Sequence, residues 1–241
     1  MLASEDFATV QDFIGRTLET FATIHVDLVV ETDFAAFAAI RRSVADGLVY
    51  PTFDPRHSVL DRAAFWLRLV DRTGRTVATS AARLFVAEDF YDLVRTETLW
   101  FDRGPRPVGL APVVDCVIPP FGGRICHQGG TWVHPDFRGH GLAGLLTGLS
   151  RALMLRNEAI DFDTGVVSEA SHRSRLAELS YGYPRVALCV ASYDRFAGYP
   201  EPVYLCHMTR AEAFDLMREK PLAVRPRQRT ARPQLKVVPA K

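Results

Sequence analysis

The chain has 241 residues, 48% of them hydrophobic, with a formal net charge of +1, enough apolar material for the core of a globular enzyme. No run approaches the ~18 uninterrupted apolar residues of a membrane span, and the acid-bearing start Met1 to Asp6 lacks the basic region of a signal peptide, so a cytoplasmic protein with no membrane partner is expected. Cys116, Cys126, Cys189 and Cys206 contain no CxxC pair, which argues against a zinc ribbon, a bound metal or a disulfide scaffold and reads as four reduced core thiols.

In chain order, Phe7, Val10, Phe13, Ile14, Leu18 and Phe21 recur at spacings of three and four, predicting an amphipathic helix over residues 1–23 that packs on the domain as an added layer. His25 to Glu31 reads as a strand. Thr32 can cap the next helix, whose inner face is Phe34, Phe37, Ile40 and Val44. Phe65 to Val70 and Thr76 to Phe85 form two extended runs joined by Asp71-Arg72-Thr73-Gly74-Arg75, the signature of a hairpin. Residues 87–126, broken by five prolines and two adjacent glycines, read as a long functional loop. Regularity returns as a strand from His127 to Val133, a turn, a helix of ~15 residues, a strand near Thr164 to Val167 and a short helix from Ser171 to Leu179. Val186 to Tyr193 and Val203 to Met208 then pair antiparallel at one end of the sheet. The reading is one mixed α/β (α+β) domain over 24–217 with a basic tail, 218–241.

That tail holds eight basic side chains, including all three lysines of the protein, against Glu219, a balance of +7 that leaves the rest at −6. Rich in proline and lacking aromatic residues for base stacking, it reads as a disordered, solubilising extension with no specific nucleic-acid partner.

The chemistry concentrates in Thr131-Trp132-Val133-His134-Pro135-Asp136-Phe137-Arg138-Gly139-His140-Gly141-Leu142-Ala143-Gly144. A strand enters a tight turn whose glycines leave backbone N–H groups uncovered, and a helix begins there with its positive end, a combination that attracts a pyrophosphate. Gly139, Gly141 and Gly144 also match G-x-G-x-x-G, with Asp161 or Asp163 about 20 residues on, as in NAD(P)-dependent Rossmann enzymes. Against that reading, five residues separate the glycines from the strand, and a hairpin and a β-α unit precede them.

Arg138, Gly141 and Ala143 also spell R-x-x-G-x-A, preceded by Val133, Pro135 and Phe137 in a V-x-P-x-[FY]-R-G-x-G lead-in. This run and the surrounding element order, over roughly residues 24–210, resemble the GNAT superfamily of acyl-CoA-dependent N-acyltransferases. The resemblance implies a central, mixed but mostly antiparallel twisted sheet flanked by helices, with the N-terminal helix as an addition. It further implies acetyl-CoA or another acyl-CoA as cosubstrate, held by Arg138, Gly139, His140, Gly141, Leu142, Ala143 and Gly144. A backbone N–H of about Trp132 or Val133 would meet the thioester carbonyl, and Ser171 or His172 would stand where an asparagine often contacts coenzyme A.

Direct transfer to an amine needs a proton acceptor and a proton for the leaving thiolate. Where many members of the family carry a strand glutamate this chain has His127, read either as the base or as a histidine packed on the sheet; Asp115 and Glu169 are further candidates. The family's helix tyrosine falls at Glu178 here, leaving Tyr181 as the substitute acid or as a ring packed beside the cofactor. These departures keep open a second function, a GNAT-fold module that binds acyl-CoA without transferring from it. The acceptor is expected to be a small-molecule or peptide amine, the acidic body favouring a cationic one, and the protein is a possible homodimer.

Overall fold

The computed structural model describes residues 3–44, 47–61, 63–105, 111–194 and 200–219. The chain opens with the helix α1 (Ser4–Thr23), followed by β1 (Val26–Glu31), α2 (Phe34–Ser43) and a 3-10 turn at Pro51–Phe53. The hairpin β2 (Ala64–Asp71) and β3 (Thr76–Ala87) comes next, then α3 (Phe90–Arg95), β4 (Gly123–Val133) and α4 (Leu142–Glu158). β5 (Phe162–Ser168), α5 (Glu169–Arg173), α6 (Leu176–Leu179), β6 (Arg185–Tyr193), β7 (Glu201–Thr209) and α7 (Arg210–Arg218) complete it. The strands form one sheet in the order β1-β2-β3-β4-β5-β7-β6. Every neighbouring pair is antiparallel except β4 and β5, because α4 carries the chain back across one face between them.

Alternation along β4 explains the two layers. Cys126 points into a core shared with Val10 and Phe13 of α1, Met154 of α4 and Phe214 of α7. Ile125, one residue away, points to the opposite face and packs with Phe90, Trp100 and Phe121. α4 lies so close to α1 that a Cβ at Gly148 would stand 2.8 Å from the Phe13 ring.

Several details depart from the sequence reading. The cap of α2 is Asp33, not Thr32: its carboxylate accepts from the N–H groups of Ala35 and Ala36 at 2.9 and 3.1 Å. His25 belongs to a turn, with φ of 58°, before the strand begins. The segment 87–126 is not one loop, since α3 forms within it and β4 starts at Gly123, pairing with Ala87. The helix expected over 171–179 breaks in two at Arg175, whose φ is 53°. Residues 210–218, assigned no element from sequence, form α7 behind a capping box of Thr209 and Glu212. The basic tail otherwise lies outside the described residues. No helix among the described residues is long and apolar enough to cross a membrane.

Candidate active site

The site begins where the two central strands part. β4 and β5 pair in parallel only from Ile125↔Phe162 to Gln128↔Gly165. β4 nevertheless keeps its partner β3 as far as Val133, and β5 keeps β7 as far as Ser168. The inner edges therefore diverge into a wedge with unpaired backbone on both walls. The cause is a bulge where the register slips between Thr79↔Trp132 and Ala81↔Gly129, so that Gly130 and Thr131 of β4 together oppose Ser80 of β3. A Cβ at Gly129 would stand 2.7 Å from the Phe53 ring, and one at Gly130, whose φ is 61°, 2.6 Å from Phe37. Two consecutive glycines are what that packing and conformation admit.

Beyond the bulge, the His134 N–H donates to the Val77 carbonyl of β3 at 2.8 Å. Alternation then turns the N–H and C=O of Val133 away from β3 and into the wedge. Its carbonyl accepts from Arg138 Nε at 3.1 Å, which leaves the Val133 N–H facing the groove and selects it over Trp132 as the inward donor.

On one side the wedge opens into a groove of about 720 Å³, lined by Thr131, Trp132, Val133, Phe137, Arg138, Gly139, Gly141, Leu142, Ala143, Leu176, Leu179, Ser180 and Tyr181. Gly139 and Gly141 take φ of 84° and 74°, and the space where either Cβ would stand is open to 4 Å. Gly141 caps α4 without a side-chain acceptor, so the first N–H groups of a 17-residue helix and its positive end face the turn. Such a turn fits a pyrophosphate. Gly144 instead faces inward to a recess bounded by Phe13 and Leu216. His140 is not part of the groove lining, and neither is His172, which stacks on Tyr204 at 3.9 Å.

Across the wedge lies a second pocket of about 100 Å³, lined by Tyr50, Thr52, Phe53, Trp100, His127, Gln128, the residues 129–131, Thr147, the residues 165–168, Ser171, Tyr181, Tyr183 and Cys206. Tyr181 belongs to the walls of both pockets. Burial, the nearby Cys206 thiol and Tyr50 raise its pKa against the hydrogen bond from Thr131, so it stays a neutral O–H donor. Its carbonyl accepts from Arg151 at 3.2 Å, and Arg151 in turn pairs with Asp163 at 2.6 Å inside the core.

His127 is 1% exposed, its ring between Phe53, Phe85 and Phe90 at centroid distances of 6.1 to 6.4 Å. Its Nδ1 lies 3.0 Å from Thr164 Oγ1, and that hydroxyl donates its single hydrogen to the Cys126 carbonyl at 3.0 Å. Thr164 can then only accept from His127, so Nδ1 carries the hydrogen and Nε2 the lone pair. Burial, with the Arg83 guanidinium beside it, lowers the imidazole to about 3. The other candidate bases are elsewhere: Glu169 is occupied by Tyr204 and Arg173 at 2.6 Å each, and Asp115 is exposed.

The segments Tyr50 to His57 and 87–126, which the family resemblance implies as surroundings of the acceptor pocket, supply Tyr50, Phe53 and Trp100 to its lining, whereas sequence reasoning passed over the pair Gly129 and Gly130 as a bulge, and Glu201. An adjacent glycine pair inside a strand is a bulge signal and was available; Glu201 is brought in only by the fold. Glu201, the first residue of β7, lines a recess of about 10 Å³ that shares Tyr50, Val166, Val167 and Ser168 with the pocket across the wedge. Burial raises its carboxyl pKa, and no salt bridge to it occurs among the described residues. No three His, Cys, Asp or Glu side chains among the described residues gather to hold a metal ion.

No family model and no curated protein sequence matches the chain. Solved structures do. Arabidopsis thaliana NAA60 in complex with acetyl-CoA is similar over 77% of this chain and 99% of its own, at 12% identity and a TM-score of 0.51. The spermidine/spermine N-acetyltransferase SpeG from Vibrio cholerae is similar over 80% of this chain and 98% of its own, at 9% identity and a TM-score of 0.50. With the order of elements, the single parallel pair and the wedge, these likenesses identify the fold: this chain has the fold of the GNAT superfamily.

Proposed function

We propose that this protein is an acyl-CoA-dependent N-acyltransferase, most simply an acetyltransferase, that passes the acyl group directly to an amine. The observation that carries the reading is the wedge between β4 and β5, which joins a glycine turn without a side-chain cap on one side to a second pocket with aromatic side chains in its walls on the other. A protein that only stored acyl-CoA would have no use for the second pocket.

In this reading the turn 138–143 and the start of α4 hold the pyrophosphate, and the cosubstrate supplies an activated thioester carbonyl. The inward N–H of Val133 donates to that oxygen as negative charge develops on it. The amine enters from the Tyr50 side, where the Glu201 carboxylate favours a cationic acceptor.

The proton economy differs from that of a histidine poised near neutrality. A free alkylamine has a pKa near 10, so an imidazole held at about 3 is too weak to strip an ammonium before attack. Deprotonation on entry falls to water at the pocket mouth. His127 Nε2 suits the later transfer, because an amine nitrogen that has bonded to the carbonyl is far more acidic. Tyr181, kept protonated and bordering both pockets, offers its hydroxyl to the departing sulfur.

The test is thiol release from acetyl-CoA over a panel of amines. Release that depends on one amine class and yields its N-acetyl product supports the reading. Binding of acetyl-CoA with no release over the panel would leave the alternative, an acyl-CoA sensor.

A further inference from the structure

Away from the wedge, the stretch 111–118 runs beside the outer strand β6. Val114 bridges Val190 in antiparallel fashion, and the Asp115 N–H donates to the Cys189 carbonyl at 3.0 Å. This brings two cysteines far apart in sequence into contact. Cys116 packs on the cluster that contains Cys189, Tyr91 and Ile118, and its sulfur faces the Cys189 thiol and the Ile118 N–H as hydrogen-bond donors. The Tyr91 hydroxyl donates to the Ile118 carbonyl at 2.7 Å, which anchors the stretch over α3. Cys116 is half-buried, whereas Cys189 is 1% exposed. Both thiols are free, and neither lines the wedge.

The asymmetry within the pair is chemical as well as positional. The hydrogen bond from Cys189, helped by the Ile118 N–H and opposed by partial burial, holds the Cys116 thiol below the usual thiol range, while Cys189 is raised by donating to Cys116 and by burial. An accessible thiolate with a protonated thiol against it is the arrangement in which one cysteine reacts and the second resolves.

We propose that Cys116 and Cys189 are a two-cysteine oxidation site that closes into a disulfide when a hydroperoxide reaches Cys116. The Cys116 thiolate attacks the distal peroxide oxygen; the S–O bond forms as the O–O bond breaks, and the leaving oxygen departs as water or an alcohol after taking up a proton. Cys189 then attacks the sulfenic sulfur, its own proton leaving with the hydroxyl as a second water. Two thiols are thereby oxidised to a disulfide by two electrons, which reduce the one peroxide. A dithiol reverses the step by exchange. Closure would staple the 111–118 stretch to β6, beside the Trp100–Tyr193 stack at 4.5 Å, and Trp100 is a wall of the acceptor-side pocket.

The experiment treats the reduced full-length chain with hydrogen peroxide in small excess under native conditions and maps its peptides by mass spectrometry. The expected result is a cross-linked pair of peptides carrying Cys116 and Cys189, lighter by two hydrogen atoms, with Cys126 and Cys206 unchanged and a melting temperature raised by several degrees. In Cys189→Ser the sulfenic acid on Cys116 should persist and be captured by a cyclic 1,3-diketone. A wild-type map in which Cys116 stays reduced, or in which the cross-link joins other cysteines, overturns the proposal. That map decides the matter even if a serine variant fails to fold, and its outcome is independent of any acyl transfer.

Discussion

Arg151 of α4 and Asp163 of β5 meet at 2.6 Å with 1% and 0% of their side chains exposed, and the same pair reaches both walls of the site. Asp163 accepts from Gln128 Nε2 at 2.7 Å, and Arg151 donates to the Tyr181 carbonyl at 3.2 Å. The helix that begins at the glycine turn, the strand that forms one wall of the wedge and the tyrosine between the two pockets are thus held by one buried charge pair.

Removing one partner strands the other. Arg151→Met should cost about 3–5 kcal/mol, because Asp163 would keep an uncompensated charge in the core. Chemical denaturation measures it. The double variant Arg151→Met with Asp163→Leu should recover much of that loss, and a loss in the double equal to or exceeding that of the single would show that the network does not act as a pair.

The bulge glycines give a second expectation. Gly130→Val places a branched Cβ against Phe37 at a positive φ and should cost on the order of 2–4 kcal/mol. At temperatures where the variant stays folded, thiol release should fall much further than acetyl-CoA affinity, since the turn 138–143 is untouched. A variant with wild-type turnover would remove the wedge from the mechanism.

His127 makes stability depend on pH with a definite sign. Its folded pKa of about 3 lies below the unfolded value of 6.5, so the native state binds fewer protons and the histidine's contribution is complete above pH 6.5. That contribution, on the order of 2–4 kcal/mol, is lost as pH falls from 6.5 towards 3. Between pH 7 and 5, therefore, wild type should lose stability faster than His127→Gln in parallel denaturation curves. The same depression means that no ascending limb of kcat/KM between pH 6 and 7 belongs to His127. A limb there that disappears in the variant would contradict the burial argument.

Glu201 bears on the acceptor. With a cationic amine, Glu201→Gln should raise KM about threefold to fivefold and leave kcat near its wild-type value, the scale of a partly exposed charge contact. Added salt should narrow the difference. An equal effect on a neutral aromatic amine would point to a packing role.

How much of this was legible depends on distance along the chain. The run from Val133 to Ala143 carries its own turn, cap and helix, so its role could be read from local geometry. α7 announces itself through the pair Thr209 and Glu212 and the spacing of Ala213, Phe214 and Met217, but the adjoining run of proline and arginine obscured it. α3 has six residues, too few for a helical period to emerge. The pocket opposite the turn was legible only in pieces: His127 stood out as a candidate base, but Tyr50, Trp100 and Glu201 come from three other segments, and only the sheet order brings the four together. The acidity of His127 belongs to the same class, because its burial is set by Phe53, Phe85, Phe90 and Arg83 from three other elements.

The central claim, that the turn at 138–143 holds an acyl-CoA, is tested most directly by calorimetric titration of acetyl-CoA into wild type and Gly141→Val. Apart from the adjoining residues of the chain, no heavy atom lies within 4 Å of a Cβ at residue 141, so within the fold the substitution meets chiefly the strain of a φ of 74°, about 1–2 kcal/mol. The variant should therefore melt as a folded protein. The account expects saturable one-site binding to wild type and at least a hundredfold weaker binding to the variant, whose side chain would fill the phosphate's place. Equal affinity in a folded Gly141→Val variant would contradict it.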